Sequence, residues 1–305
     1  VTRRVVSLLP STTEIVAALG RSDLLVGRSH ECDHPAEVMD LPVISRPRHD
    51  PVGSSAQIHR GVQELLTEVL SIYQVDADAL REAAPDLILT QDLCRVCAVA
   101  QDEVLAAARE HLGHEVEVLT SSPLTLAEVL GDILRVAEAL GAREEGEALV
   151  ARLRGEFAAV HHAVSGRTRP TLTLLEWVDP LMAGGTWGPE LIELAGATPL
   201  LGAAGGHSPL LAAEELVHAD PDVLVVSPCG YGLDRAAEDL PLLRALPGWE
   251  QLTAVRSGRV AVVDGSAYVN RPGPRLVETA AILAAVVHGV GPGCHLEGTG
   301  WRWMG

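Results

Sequence analysis

The sequence predicts an α/β chain of two Rossmann-like lobes, each built on a mainly parallel sheet, joined by one long connecting α-helix. Three observations predict it. Short β-rich runs alternate with helical patterns through the first part of the chain, the signature of a parallel sheet with helices on its faces. A helical period then holds from Thr125 to about Val164, and strand-helix alternation resumes at Thr171. At 305 residues, with 47% hydrophobic and 21% charged residues, the chain exceeds the size at which a single core keeps growing, so two cores are expected. The predicted division is residues 1–122 for the first lobe, 123–166 for the connecting helix, 167–290 for the second lobe and 291–305 for a tail.

Arg4 to Leu9 reads as the first strand. Ser11-Thr12-Thr13-Glu14 fits a capping box, with Ser11 as N-cap, opening a helix that stops at Gly20. A helix N-terminus in that position can receive an anionic group. Leu24 to Gly27, Val43-Ile44, Asp86 to Thr90 and Glu115 to Leu119 supply the other strands of the first lobe. Apolar residues at Ile58, Val62, Leu65, Leu66, Val69 and Ile72 predict an amphipathic helix over residues 56–72. In the connector the same period runs through Leu126, Val129, Leu130, Ile133, Val136, Leu140, Leu149 and Leu153, with Gly141 as the main interruption, so the strut reads as a helix or a broken helix. In the second lobe, Thr171 to Glu176, Val223 to Ser227 and Val260 to Val263 read as strands. Pro189 to Ala195 and Pro274 to His288 read as helices, Pro274 standing in a first turn. The Gly-rich tail, ending Trp301-Arg302-Trp303-Met304-Gly305, receives no role.

Charge and hydropathy exclude several function classes. The chain has 41 acidic against 23 basic residues, a formal charge of −18, which opposes binding to nucleic acid and to anionic membrane surfaces. No apolar run approaches the ~18 residues that span a bilayer, so no membrane insertion is expected. The first residues enter a strand directly, without an apolar leader or a small-residue cleavage site. Together with an odd number of cysteines that includes a C-x-x-C, this predicts reduced thiols and a cytoplasmic location; an exported form with its signal removed is the alternative. G-x-S-x-G, H-E-x-x-H and G-x-x-x-x-G-K are all absent, so the common hydrolase and nucleotide-binding signals are missing and a binding protein is expected rather than an enzyme.

Four of the five cysteines stand just past predicted strands: Cys32 in Ser29-His30-Glu31-Cys32, Cys94 and Cys97 in one C-x-x-C, and Cys229 after Pro228. Ligand crevices form outside the carboxyl ends of parallel strands. A four-thiolate set there suits zinc or an iron-sulfur cluster, and His30 is able to replace one ligand. The alternatives are a redox dithiol at Cys94 and Cys97, favoured near a helix N-terminus, or thiols packed as small apolar residues. Cys294 lies apart in the tail.

Aromatic residues make up only 3% of the chain, so each one near a strand end carries weight. Glu176-Trp177 follows the first strand of the second lobe, and Trp187 stands in a Gly-rich turn. Their rings either present flat faces to a planar ligand or cover a lobe edge, and the covering role is the better reading for Trp249 and Trp301. The polar loop from Asp264 to Arg275 adds Tyr268 and Arg271 as ligand contacts, with Arg275 as a structural partner.

Taken in order, Arg4-Val-Val-Ser-Leu-Leu-Pro-Ser-Thr-Thr-Glu14, Leu25-Val-Gly27 with His30-Glu-Cys-Asp-His-Pro35, Ala84-Pro-Asp-Leu-Ile-Leu-Thr-Gln91 and Arg271-Pro-Gly-Pro-Arg275 resemble the cobalamin and iron-chelate solute-binding proteins of ABC importers. The resemblance extends from Arg4 to about His288. Its cysteine-containing motifs are similar to a narrower branch, described as cobalamin-binding, whose members often lack export signals. It implies two α/β lobes on a helical backbone, with a cobalamin-like corrinoid or other metal-containing small molecule held between them. The implied ligand contacts are Ser11, Ser29, His30, Glu31, Gln91, Glu176, Trp177, Trp187, Tyr268 and Arg271, with Cys32, Cys94, Cys97 and Cys229 as metal-binding positions in the alternative metalloprotein reading. An ABC permease is the implied partner.

Overall fold

The computed structural model describes residues 3–48, 53–68, 73–92 and 101–304. The chain divides into two compact units. The first comprises Val1–Val52, Arg60–Pro123 and Glu128–Ala151, and the second Gly53–His59, Leu124–Ala127 and Arg152–Gly305. In chain order, the elements up to the last crossing between units are β1 (Val5–Ser7), α1 (Pro10–Ala18), β2 (Leu25–Ser29), β3 (Val43–Pro47), α2 (Ser55–Glu68), β4 (Tyr73–Val75), α3 (Ala77–Ala83), β5 (Leu87–Gln91), α4 (Gln101–His111), β6 (Glu117–Ser121), α5 (Leu126–Ala139) and α6 (Arg143–Val164). Then follow β7 (Thr171–Trp177), β8 (Met182–Ala183), α7 (Gly188–Leu194), β9 (Thr198–Pro199), α8 (Ala213–Ala219), β10 (Val223–Val226), α9 (Leu233–Glu238), α10 (Leu240–Arg244), α11 (Thr253–Arg256), β11 (Val260–Val263), α12 (Leu276–His288) and β12 (Trp301–Trp303).

The first sheet has the order β4-β3-β2-β1-β5-β6. All its pairings are parallel except β3 with β4. Every residue of β1 and β5 is buried, as expected for strands covered on both faces. Val6, Leu8, Ile44, Tyr73, Ile88 and Val104 meet in its core. Sequence periodicity missed β4 because three residues on an antiparallel edge carry no repeat; only the register Ser45↔Val75 reveals it.

Helix α1 begins two residues earlier than the capping box predicts. Leu9 is the N-cap and Pro10 occupies the first turn, where its missing N–H costs nothing. The Thr12 and Thr13 hydroxyls donate back to the Leu9 carbonyl at 3.0 and 3.2 Å, so Ser11 caps nothing. The connector takes its broken form, as two helices. Gly141, at φ +66°, takes the left-handed conformation that ends α5, with Ala142 N–H returning to Ala137 O at 2.8 Å. Gly146 then lets α6 approach α5 closely, since a Cβ there would stand 2.4 Å from Ala137 Cβ. The chain leaves the first unit for the second within α6.

The second sheet runs β12-β11-β10-β7-β8, with β9 beside β7. β7, β10 and β11 are mutually parallel, while β8 and β12 are antiparallel additions. Leu175, Leu224, Val226, Leu243, Trp249 and Leu252 fill its core. The tail without a predicted role supplies β12: Trp301 is 3% exposed and its indole N–H donates to Gly293 O at 2.9 Å. Helix α12 starts at Leu276, two residues after Pro274, with Arg275 as N-cap.

Candidate functional site

Each unit carries its polar and aromatic residues at the carboxyl ends of its parallel strands, where ligand crevices of open α/β sheets form. In the first unit, β2 runs directly into Ser29-His30-Glu31-Cys32. Arg28 holds this turn from beneath. Its guanidinium donates to the Ser29, Cys32 and Met39 carbonyls at 3.0, 3.1 and 3.2 Å. Ser29 is 2% exposed, and its hydroxyl accepts from Glu31 N–H at 3.2 Å. The Tyr73 hydroxyl, from edge strand β4, donates to Glu31 Oε1 at 3.0 Å. The His30 ring lies against the Tyr73 ring, centroids 4.9 Å apart, with Nδ1 3.4 Å from Ser45 Oγ. Burial, and to a lesser degree the Arg28 charge, lowers the His30 pKa against a hydrogen bond with the Ser45 backbone.

Cys32 does not line an open face. It is 0% exposed, its sulfur 3.0 Å from Thr13 Oγ1 and 3.1 Å from Ser29 Oγ, in a buried chain of hydroxyls that continues to Ser7 and Thr12. Burial pushes its thiol pKa up, which favours the protonated form over the thiolate a metal requires. Ser11 is 1% exposed, and its hydroxyl has no hydrogen-bond partner among the described residues. Gln91, at the end of β5, is 5% exposed.

In the second unit, β7 ends in Glu176-Trp177, and the Ser208 hydroxyl donates to Glu176 Oε2 at 2.5 Å. The half-buried Trp177 ring is tilted against Tyr231, centroids 5.2 Å apart, and its indole N–H donates to Asp179 O at 3.0 Å. Tyr231 is a residue that sequence reasoning missed. It stands just after β10, and the Arg235 guanidinium lies 4.3 Å above its ring centroid while donating to its hydroxyl at 3.2 Å. Burial pushes the Tyr231 phenol up to about 12. Its place two residues past Cys229, in a chain with few aromatic residues, was the available signal.

Beyond β11, Asp264 Oδ1 accepts from Ser266 and Ala267 N–H at 2.9 and 2.8 Å, tightening the loop that carries Tyr268, Asn270 and Arg271. Burial raises the Asp264 pKa against these hydrogen bonds. Arg271 is 7% exposed and reaches Ser266 Oγ at 3.4 Å. The Arg275 guanidinium lies 5.5 Å over the half-buried Tyr268 ring. Trp187 is core: it is 5% exposed, and its indole N–H donates to Val269 O at 2.9 Å. Cys229 is half-buried, with its N–H donating to Glu176 O at 3.1 Å.

Among the described residues, no group of three or more His, Cys, Asp and Glu side chains is placed to hold a metal ion. Cys94 and Cys97 lie outside the described residues, so only Cys32 and Cys229 of the four-cysteine set have a described position. Nothing supports the iron-sulfur reading. No described helix is long and apolar enough to cross a membrane.

The pattern of one family, described as periplasmic binding protein, matches residues 5–267. The cobalamin-binding protein of Halobacterium salinarum is 25% identical over 300 residues, covering 93% of this chain and 69% of the relative. The crystal structure of a periplasmic heme-binding protein from Pseudomonas aeruginosa superposes with a TM-score of 0.68 at 23% identity, covering 95% of this chain and 94% of that one. The periplasmic vitamin B12 binding protein of Vibrio cholerae superposes with a TM-score of 0.65 at 20% identity, covering 93% and 96%. At these identities the two solved structures establish the fold.

Proposed function

This chain belongs to the periplasmic binding protein family, and on that premise we propose that it is a non-catalytic solute-binding protein whose solute is a metal tetrapyrrole, a corrinoid in the first instance. The observation that carries the proposal is the composition of the two sheet ends. Trp177 and Tyr268 bring half-buried aromatic surface to the carboxyl edge of the second sheet, Trp177 backed by the buried Tyr231 with the Arg235 guanidinium over its ring, and Tyr268 under that of Arg275. Flat apolar faces next to fixed guanidinium groups suit a large planar ring with polar or anionic side groups. In the first unit the half-buried His30 and Glu31 bring polar groups to the sheet edge, over the buried Ser29 and Gln91. The cobalamin-binding description of the Halobacterium relative, matched along 93% of this chain, supports a corrinoid over a siderophore.

The same family supports an ABC permease as the partner and the periplasmic side of the membrane as the working location. That location replaces the cytoplasmic expectation drawn from the cysteines and the first residues.

Calorimetric titration with cyanocobalamin, and separately with hemin, tests the solute. Saturable one-to-one binding of cyanocobalamin, weakened in Trp177→Ala, is the expected result. Binding of hemin alone would move the proposal to a porphyrin, and binding of neither would remove it.

A further inference from the structure

We propose that Gly300, in the C-terminal hairpin formed by residues 296–303, is a positioning residue for the solute: it sets the place of the Tyr268 ring on which the solute stacks. The inference rests on the solute reading above and gives the tail a part in it.

Two aromatic loops stand at the carboxyl edge of the second sheet, one carrying Tyr231 after β10 and one carrying Tyr268 after β11. They are tied to each other, because the Gly265 and Ser266 N–H groups both donate to Tyr231 O, at 2.9 and 3.2 Å. The hairpin grips both. On the β11 side, the antiparallel register Val263↔Trp301 brings Gly300 beside Asp264, whose N–H donates to Gly300 O at 2.9 Å. Gly300 is buried, and a Cβ on it would stand 3.0 Å from Tyr268 Cε2, 3.4 Å from Tyr268 Cζ and 3.3 Å from Leu296 Cβ. Its φ lies outside the left-handed region, so backbone conformation does not call for glycine there; the close approach of the ring does. On the β10 side, the Arg302 guanidinium donates to Leu233 O and pairs with Asp234 Oδ1, both at 3.0 Å. Those two residues open α9, the helix that carries Arg235 over the Tyr231 ring.

The hairpin is itself anchored. Gly298 N–H donates to Trp301 O and Gly300 N–H to Leu296 O, each at 2.7 Å, and the buried Trp301 indole bonds Gly293 O at 2.9 Å. A ring seated against such a surface loses little freedom when a solute stacks on it. The competing role is that of a cover over the sheet edge. Covering accounts for the buried Trp301 and for the pairing of β12 with β11. It calls neither for glycine at position 300 nor for the Arg302 bond to Leu233 O, contacts that fall on the two loops rather than on the core.

The test titrates the whole protein with cyanocobalamin and with hemin, read by tryptophan fluorescence quenching, and compares Gly300→Val in two backgrounds. With Tyr268 in place, Gly300→Val is expected to bind the pigment about tenfold more weakly, because the added methyl groups displace the ring. Tyr268→Leu removes the ring edge that meets Gly300 and keeps an apolar surface. In that background the same change is expected to alter affinity by less than about twofold. Urea unfolding of the four solute-free proteins reads the same contact without pigment: Gly300→Val should lower the midpoint more with Tyr268 than with Leu at that position. Equal losses of affinity in the two backgrounds, or equal losses of midpoint, would show a general structural role and overturn the inference. Unchanged affinity in Gly300→Val would overturn it as well, with the solute reading intact. Quenching of the wild-type protein by neither pigment would overturn the solute reading and this inference with it.

Discussion

The Trp187 indole N–H donates to the Val269 carbonyl at 2.9 Å, joining two segments 82 residues apart in the second unit. This bond converts a tryptophan in a glycine-rich turn from a candidate ligand face into part of the core, at 5% exposure. Trp187→Phe keeps most of the apolar area but leaves a buried carbonyl without its donor, and should cost about 1 to 3 kcal/mol. Trp187→Ala adds a cavity and should cost about 3 to 5 kcal/mol. Urea unfolding of both variants checks this; an unchanged midpoint in both would contradict the assignment.

Two glycines of α6 should respond with opposite signs to the same change. Replacing Gly by Ala inside a helix gains up to about 1 kcal/mol of propensity. At Gly155 the added methyl meets nothing within 4 Å, so Gly155→Ala should stabilise by roughly that amount. At Gly146 it would stand 2.4 Å from Ala137 Cβ. Overpacking costs about 1 to 3 kcal/mol, which exceeds the propensity gain, so Gly146→Ala should lower stability. Thermal unfolding of the pair decides; stabilisation at both positions would show that α5 and α6 are not in contact there.

Asp76 caps α3, its carboxylate accepting from Ala79 N–H at 3.1 Å and pairing with Arg46. The backbone hydrogen bond, more than the Arg46 charge, holds its pKa below the usual carboxylate value. A depressed folded pKa contributes stability that is complete above the unfolded value, near pH 4, and is lost as pH falls through the folded value. Asp76→Ala should therefore cost about 1 kcal/mol at pH 7. The gap to wild type should close as the pH falls through the folded value. A gap that persists in acid would mean that packing, not the cap, is lost.

The three thiols with described positions should react in the order of their exposure. Cys294 is exposed, Cys229 half-buried and Cys32 buried with its thiol pKa raised. In a Cys94→Ser, Cys97→Ser background, a thiol-disulfide reagent at pH 8 should modify Cys294 at once and Cys229 more slowly. Cys32 should be released only by denaturant. Rapid modification of Cys32 in the native state would place it on an open face and revive it as a metal ligand.

Local signals made much of the fold legible. β11 falls on its predicted residues, and the strands ending near Ser29, Gln91 and Trp177 are shifted by at most a few residues, because continuous Val, Leu and Ile runs mark buried parallel strands. Gly141 marked the break between α5 and α6, although the two were expected to act as one connector. What failed were features with no local period: the edge strands β4 and β12, and the start of α1, where Pro10 and the Leu9 carbonyl displaced the Ser11 cap.

For the site, the sequence by itself determined which loops stand at the strand ends, since strand ends in an α/β chain are readable from alternation alone. It could not rank the residues within those loops. Cys32 and Trp187 stand beside His30 and Trp177 in equivalent turns, yet the first two are buried and the others are half-buried. Tertiary structure decided this through partners distant in the chain: Thr13 against Cys32, Val269 against Trp187, Tyr73 against His30 and Arg235 against Tyr231. Desolvation and hydrogen bonding depend on which atoms surround a group, and those atoms are supplied by packing rather than by sequence neighbours.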